Sequence, residues 1–270
     1  MTRRAWRLLT WIAVPVVALS LTAVAAAAWW RWDTARQPDV SDAVPAMRRA
    51  VADAVVAAGA EAAVAVSGVV RSSRCRINAA RAGAVFTARA DLYTDPGGEE
   101  ALITGIAGQL SGTYAVSRGA ARSGARPIEA TTDRGVRLTV RRISPGWVTV
   151  SARTGCSLGT APGRPSPPPG SSGAAAITAA FAAVGTRPAS FVSHQLDCPG
   201  GALTTTAAVS EPADSARLAE RLSATVPAGA RVFASGTSNL VAYRQGAVSM
   251  IVAASDDGTT ITGQHTTACR

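Results

Sequence analysis

One order of elements runs through this chain twice, and each pass carries one cysteine after its first strand and another at its end. A repeated unit restricts the fold more than any single helix or strand, because both copies must bury equivalent faces. The first pass opens with an alanine-rich helix, Asp42 to Ala58, in which Val44, Met47, Val51 and Val55 recur at helical spacing. An apolar strand over 62–70 leads to Cys75. In "AVFTARADLY", Ala84, Phe86, Ala88, Ala90 and Leu92 then alternate with more polar neighbours, the period of a half-buried strand. "DPGGEEALITGIAGQL" predicts a helix with Glu99 and Glu100 in its first turn and Leu102, Ile106 and Leu110 on one face. The strand "TYAVS" and a hairpin, "VRLTVRRI" and "WVTVSAR" turned at Pro145-Gly146, precede Cys156.

The second pass repeats these events. A helix over 174–184 leads to "SFVSHQLDC" with Cys198. After it come the strand "ALTTTAAV", the helix "PADSARLAERLSA", "ARVFAS", the hairpin "LVAYRQGAVSMIVAA" and Cys269. The expected class is α+β: two α-β-β-α-β-β-β units, 41–156 and 174–270, each an antiparallel sheet with helices on one face. Between them "SLGTAPGRPSPPPGSSG", residues 157–173, has the composition of an extended linker.

The two histidines each stand four residues before a cysteine, His194 before Cys198 and His265 before Cys269, which raises the question of a Cys2His2 metal site. Both lie in segments that read as strand, where four residues span roughly 13 Å, too far for one zinc. The first unit has no histidine at the matching offsets, so the feature the units share is the cysteine pair. Bridges Cys75–Cys156 and Cys198–Cys269 keep each unit self-contained. No metal or cofactor is expected.

Arg3, Arg4 and Arg7 precede an uncharged run from Leu8 to Ala28, enough for roughly 31 Å of helix. Trp11 near one end and Trp29, Trp30 and Trp32 at the other suit the interfacial belts of a bilayer. Residues 1–40 therefore read as a signal-anchor spanning the membrane through 8–28, N-terminus inside, with both units outside the cytoplasm. A cleaved signal ending at Ala25–Ala28, or a twin-arginine export signal at "TRRAW", is the alternative.

The chain has 27 arginines and no lysine, a bias that a GC-rich bacterial genome produces. Placement says more: residues 41–165 carry 16 Arg against 9 acids, and residues 166–270 carry 6 against 6. Residues 118–135 read as an insertion peculiar to the first unit, bearing Arg118, Arg122, Arg126 and Arg134. With Arg71, Arg74 and Arg76 of "RSSRCR", and Arg137 and Arg141 on the hairpin's solvent side, these are the candidate basic surface for an anionic partner. Anionic lipid headgroups, an acidic envelope polymer or another envelope protein are the candidates. Nucleic acid is not expected outside the membrane, and aromatic interleaving for base stacking is absent.

No G-x-S-x-G elbow, Walker A loop or G-x-G-x-x-G fingerprint occurs, so no catalytic motif points to an enzyme. The acids of "DPGGEE" read as a helix start, and Asp256 and Asp257 as a turn. The expectation is a non-enzymatic binding module of the cell envelope. A small-ligand sensor or carrier with a groove between sheet and helices, or between the units, stands second, and an exported hydrolase ranks below both.

Overall fold

In the computed structural model the first helix, α1 (Val40–Ala58), starts where Asp39, in extended backbone, accepts the Ser41 N–H at 2.8 Å. It ends at Gly59, whose φ of 58° suits a residue without a Cβ. The structure describes residues 24, 39–78, 81–120, 126–163, 165–168, 170–199, 201–233 and 239–269. Apart from Val24, the apolar run 8–28 lies outside them. Among the described residues no helix is long and apolar enough to cross a membrane.

Two six-stranded antiparallel sheets follow. The first contains β1 (Ala63–Asn78), β2 (Arg81–Tyr93), β3 (Ala115–Arg118), β4 (Ile128–Thr131), β5 (Arg137–Ser144) and β6 (Trp147–Arg153), with helix α2 (Glu99–Leu110) between β2 and β3. After α3 (Ser172–Ala183) come β7 (Pro188–Cys198), β8 (Gly201–Ser210), the short α4 (Leu218–Leu222), β9 (Arg231–Phe233), β10 (Leu240–Gln245), β11 (Val248–Ala254) and β12 (Ile261–Thr267). The orders β1-β2-β6-β5-β4-β3 and β7-β8-β12-β11-β10-β9 are identical, position for position.

Each unit therefore has one strand more than expected, and the correspondence between units shifts. Hairpin β5–β6 matches β11–β12, while β10 matches β4, which lies inside 118–135. Residues 118–135 are not an insertion. The β3–β4 connection, 119–127, is only three residues longer than its counterpart 234–239. β4 was hard to read because its buried face carries only Ile128 and Ala130. β12 hides for a different reason: its inward positions are Ile261, Gly263 and His265, of which one alone is a large hydrophobe.

The disulfides Cys75–Cys156 and Cys198–Cys269 occupy matching places, with Cα atoms 5.9 and 6.0 Å apart. Each starts beside a glycine on the neighbouring strand: Cys75 pairs in register with Gly83, Cys198 with Gly201. A Cβ at Gly83 would stand 2.8 Å from Cys156 Sγ, so only glycine lets that bridge cross β2.

Asp39–Arg270 forms one compact unit, so the two sheets are not separate domains. Every residue of β1 from Ala63 to Val66 is buried, because both faces are covered. Val64 and Val66 join the core with α1 and α2, while Ala63 and Ala65 meet Phe233, Ala242 and Ile251 of the second sheet. α1 also reaches across: Leu196 and Leu203 belong to its core. Arg244 donates to the carbonyls of Gly59 and Ala62 just past the end of α1, and Arg231 pairs with Glu61 and Asp95, both at 3.0 Å. The opposite face of the second sheet packs on α3 and α4 through Ile177, Phe181 and Leu218.

Candidate binding surface

Antiparallel register decides which side chains share a face. In the first sheet, Leu92, Val148, Val150, Val140 and Ile128 point to α1 and α2. The residues between them point the other way. On that side β1 and the end of β2 pack against the second sheet, and Thr149 of β6 is buried. The remaining strands carry three cross-strand rows. Thr87, Arg153, Arg137 and Thr131 form the first; Arg89, Ser151, Thr139 and Glu129 the second; Asp91, Thr149 and Arg141 the third.

Arg89 is committed within this face. It donates to Asp91 at 2.9 and 2.6 Å and lies 5.5 Å from the centre of the Trp147 ring. Trp147 Nε1 donates to the same carboxylate at 2.9 Å, and its ring stacks on Tyr93 with centroids 5.9 Å apart. Burial, with Asp91 nearby, pushes the Tyr93 hydroxyl far above its usual range, so it stays a neutral donor. Arg137, Arg141 and Arg153 are exposed, and among the described residues none makes an ion pair or a side-chain hydrogen bond. Arg137 and Arg153 stand directly opposite each other in register. Facing cross-strand residues have Cβ atoms about 5 Å apart, and like charges there repel.

The other arginines read as one surface are divided. Arg118 falls on the helix side of the sheet, 3.6 Å from Glu100 and hydrogen-bonded to Thr104 at 3.4 Å. Arg126 donates its backbone N–H to Glu100, and Arg122 lies outside the described residues. Arg71, Arg74 and Arg76 are exposed on the far half of edge strand β1, opposite Phe86, Ala84 and Ala82. Arg137 and Arg141 share the face turned away from α1 and α2. Arg89 and Arg153 join them, and the sequence reading missed both, although the alternation that turned Arg137 outward also runs through "ARADLY" and "WVTVSAR".

The acids serve the fold. Although burial raises its pKa, Glu99 is held below the usual carboxylate range by the N–H groups of Gly146, Glu99 itself and Gly97 and by Arg142. It thereby ties α2 to the β5–β6 turn. Asp257 accepts from Ser255 and from the Thr259 N–H, which hold its pKa at about 2.

The histidines lie on opposite faces of the second sheet, since His194 pairs with Thr205 and His265 with Thr206, the next residue along β8. The cysteines beside them are joined to each other. His265 is buried under α3, where burial lowers its pKa from 6.5. The unfolded chain thus binds this proton more readily, and stability is expected to fall as pH drops below 6.5 toward the folded value. Urea midpoints at pH 7.5 and 5.5 should differ less in His265→Gln than in the native chain. An equal difference would exclude His265 as the source.

No family model, curated protein or solved structure matches the chain.

Proposed function

We propose that Asp39–Arg270 is the displayed, non-enzymatic binding module of a membrane-anchored envelope protein. Its arginine-bearing sheet face would take an acidic polymer that carries repeated phosphate or carboxylate groups. The carrying observation is the register pair Arg137–Arg153, two exposed guanidinium groups that have no ion-pair or side-chain hydrogen-bond partner among the described residues and stand against their own repulsion. A bridging anion converts that repulsion into attraction, because a guanidinium fork matches phosphate and carboxylate geometry. The hydroxyls of Thr87, Ser151, Thr139 and Thr131 supply neutral donors in the same rows. A polymer suits the face better than a bilayer, because none of the exposed large apolar side chains (Val56, Ile143, Val209 and Val232 among them) belongs to these rows. Anchoring through residues 8–28, with the N-terminus inside, rests on the charge and length of that run.

The test uses residues 39–270 with polyphosphate and poly-glutamate, and with vesicles containing anionic phospholipid, at several salt concentrations. At roughly 0.7 kcal/mol per exposed charge contact, Arg137→Ala with Arg153→Ala should weaken polymer binding about tenfold and flatten its salt dependence. Arg71→Ala with Arg74→Ala should change it little. Equal loss in both double variants, or binding to vesicles without binding to polymer, overturns the proposal.

A further inference from the structure

Along the seam between the two sheets, Arg231 and Arg244 have partners at one end, while at the other Arg48 and Asp197 have no ion-pair partner among the described residues. Near the start of β1, Arg231 has Glu61 and Asp95, and Arg244 has two backbone carbonyls. Further along β1 the sheets leave a cleft of about 340 Å³, lined by Arg48 of α1, Ser67 and Gly68 of β1, and Ser193, His194 and Asp197 of β7. Arg48 and Asp197 face this one cleft, yet among the described residues neither makes an ion pair or side-chain hydrogen bond.

The walls are built rather than left over. Strand β1 bulges here: the ladder passes from Ser67↔Arg89 to Val70↔Thr87, which takes Gly68 and Val69 out of register and turns that stretch of backbone to the cleft. Bulges commonly re-aim groups beside binding sites. The His194 ring lies against Gly68 so closely that a Cβ there would stand 2.6 Å from Nδ1. Pro165 accepts the Ser193 N–H at 2.7 Å, and both residues line the cleft.

We propose that this cleft binds a small zwitterion carrying a carboxylate and an ammonium group, the chemistry of a free amino acid. A guanidinium on one wall and a carboxylate on another, with serine hydroxyls between, match both charges of such a molecule at once. A simple anion would satisfy Arg48 but meet Asp197, and a simple cation would do the reverse. The volume falls at the small end of the range of ligand sites. This reading is independent of the basic face, because neither Arg137 nor Arg153 lines the cleft.

The experiment titrates residues 39–270 with the twenty common free amino acids, following backbone amide shifts and calorimetric heat. Any binder is compared with its amide and its N-acetyl derivative. The expected result is that at least one amino acid shifts the Ser67, Gly68 and Ser193 amides. Arg48→Met should weaken it about tenfold but leave its amide unaffected, and Asp197→Asn should do the same against the N-acetyl form. The Arg137→Ala and Arg153→Ala pair should bind as the native chain does. The proposal is overturned if no amino acid shifts those amides, or if both derivatives bind as tightly as the parent.

Discussion

Removing the Cys198–Cys269 bridge by paired serine substitution is expected to lower stability by about 4 kcal/mol or somewhat more, the largest effect of any change considered. Separations of 81 and 71 residues give nearly the same loop-closure term for the two bridges, about 4 kcal/mol each. They differ in what surrounds them. Cys198 and Cys269 pack against the core shared by α1 and Leu203, so the serine pair also sets two hydroxyl groups on apolar surface. For a chain of this size the loss corresponds to roughly 8–16 °C in melting temperature. Thermal unfolding of the native chain, of the serine pairs and of the reduced native chain checks this. A reduced chain that melts within about 2 °C of the oxidised one would show that the bridges do not hold the fold.

Gly263→Val is expected to be the next most damaging change, against the local preference of a strand. Valine is favoured over glycine in strand backbone by about 1 kcal/mol. Gly263 sits on β12 under α3, however, where a Cβ would lie 2.9 Å from Phe181 Cε1 and 3.0 Å from Ile177 Cγ2. Both side chains are fully buried and have nowhere to go. Overpacking of this kind costs roughly 3 kcal/mol or more, so the net loss is about 2 kcal/mol. The partner change Phe181→Leu opens space at the clash. In a double-mutant cycle, valine at 263 should cost clearly less on the Phe181→Leu background, and strict additivity would mean that the α3 contact is not the cause.

These two expectations mark where the sequence was readable. The cysteine positions, the alternation in β2, β5 and β6 and the periodicity of α1 and α2 were legible because each is a local pattern of apolar or bridging residues. The short β4 and the glycine-bearing β12 lacked such a pattern, and with them the true correspondence between the units was lost. Helix α1 carried a signal that was not used: alanines at 50, 52, 54, 57 and 58 fill the sides between its larger apolar residues, and all are buried. A helix apolar on most of its circumference packs on more than one partner. The basic face was half legible. Arg137 and Arg141 followed from alternation, but Arg153 became their neighbour only through the β5–β6 register. The cleft could not be read from sequence, since Arg48, Gly68 and Asp197 meet only when the two sheets dock.

Because α1 needs Leu203 as well as Leu92 to complete its surroundings, the chain is not cooperative by halves. During synthesis Met47 and Val51 leave the ribosome long before β8 exists; at roughly 5–20 residues per second the wait is on the order of ten seconds. Throughout it the first sheet can gather around only one side of its own first helix. The order of manufacture and the order of completion are therefore opposed: α1, made before either sheet, is among the last elements to be closed in. Cutting the chain within 157–173 should yield two fragments that each remain sticky and fold well only when mixed.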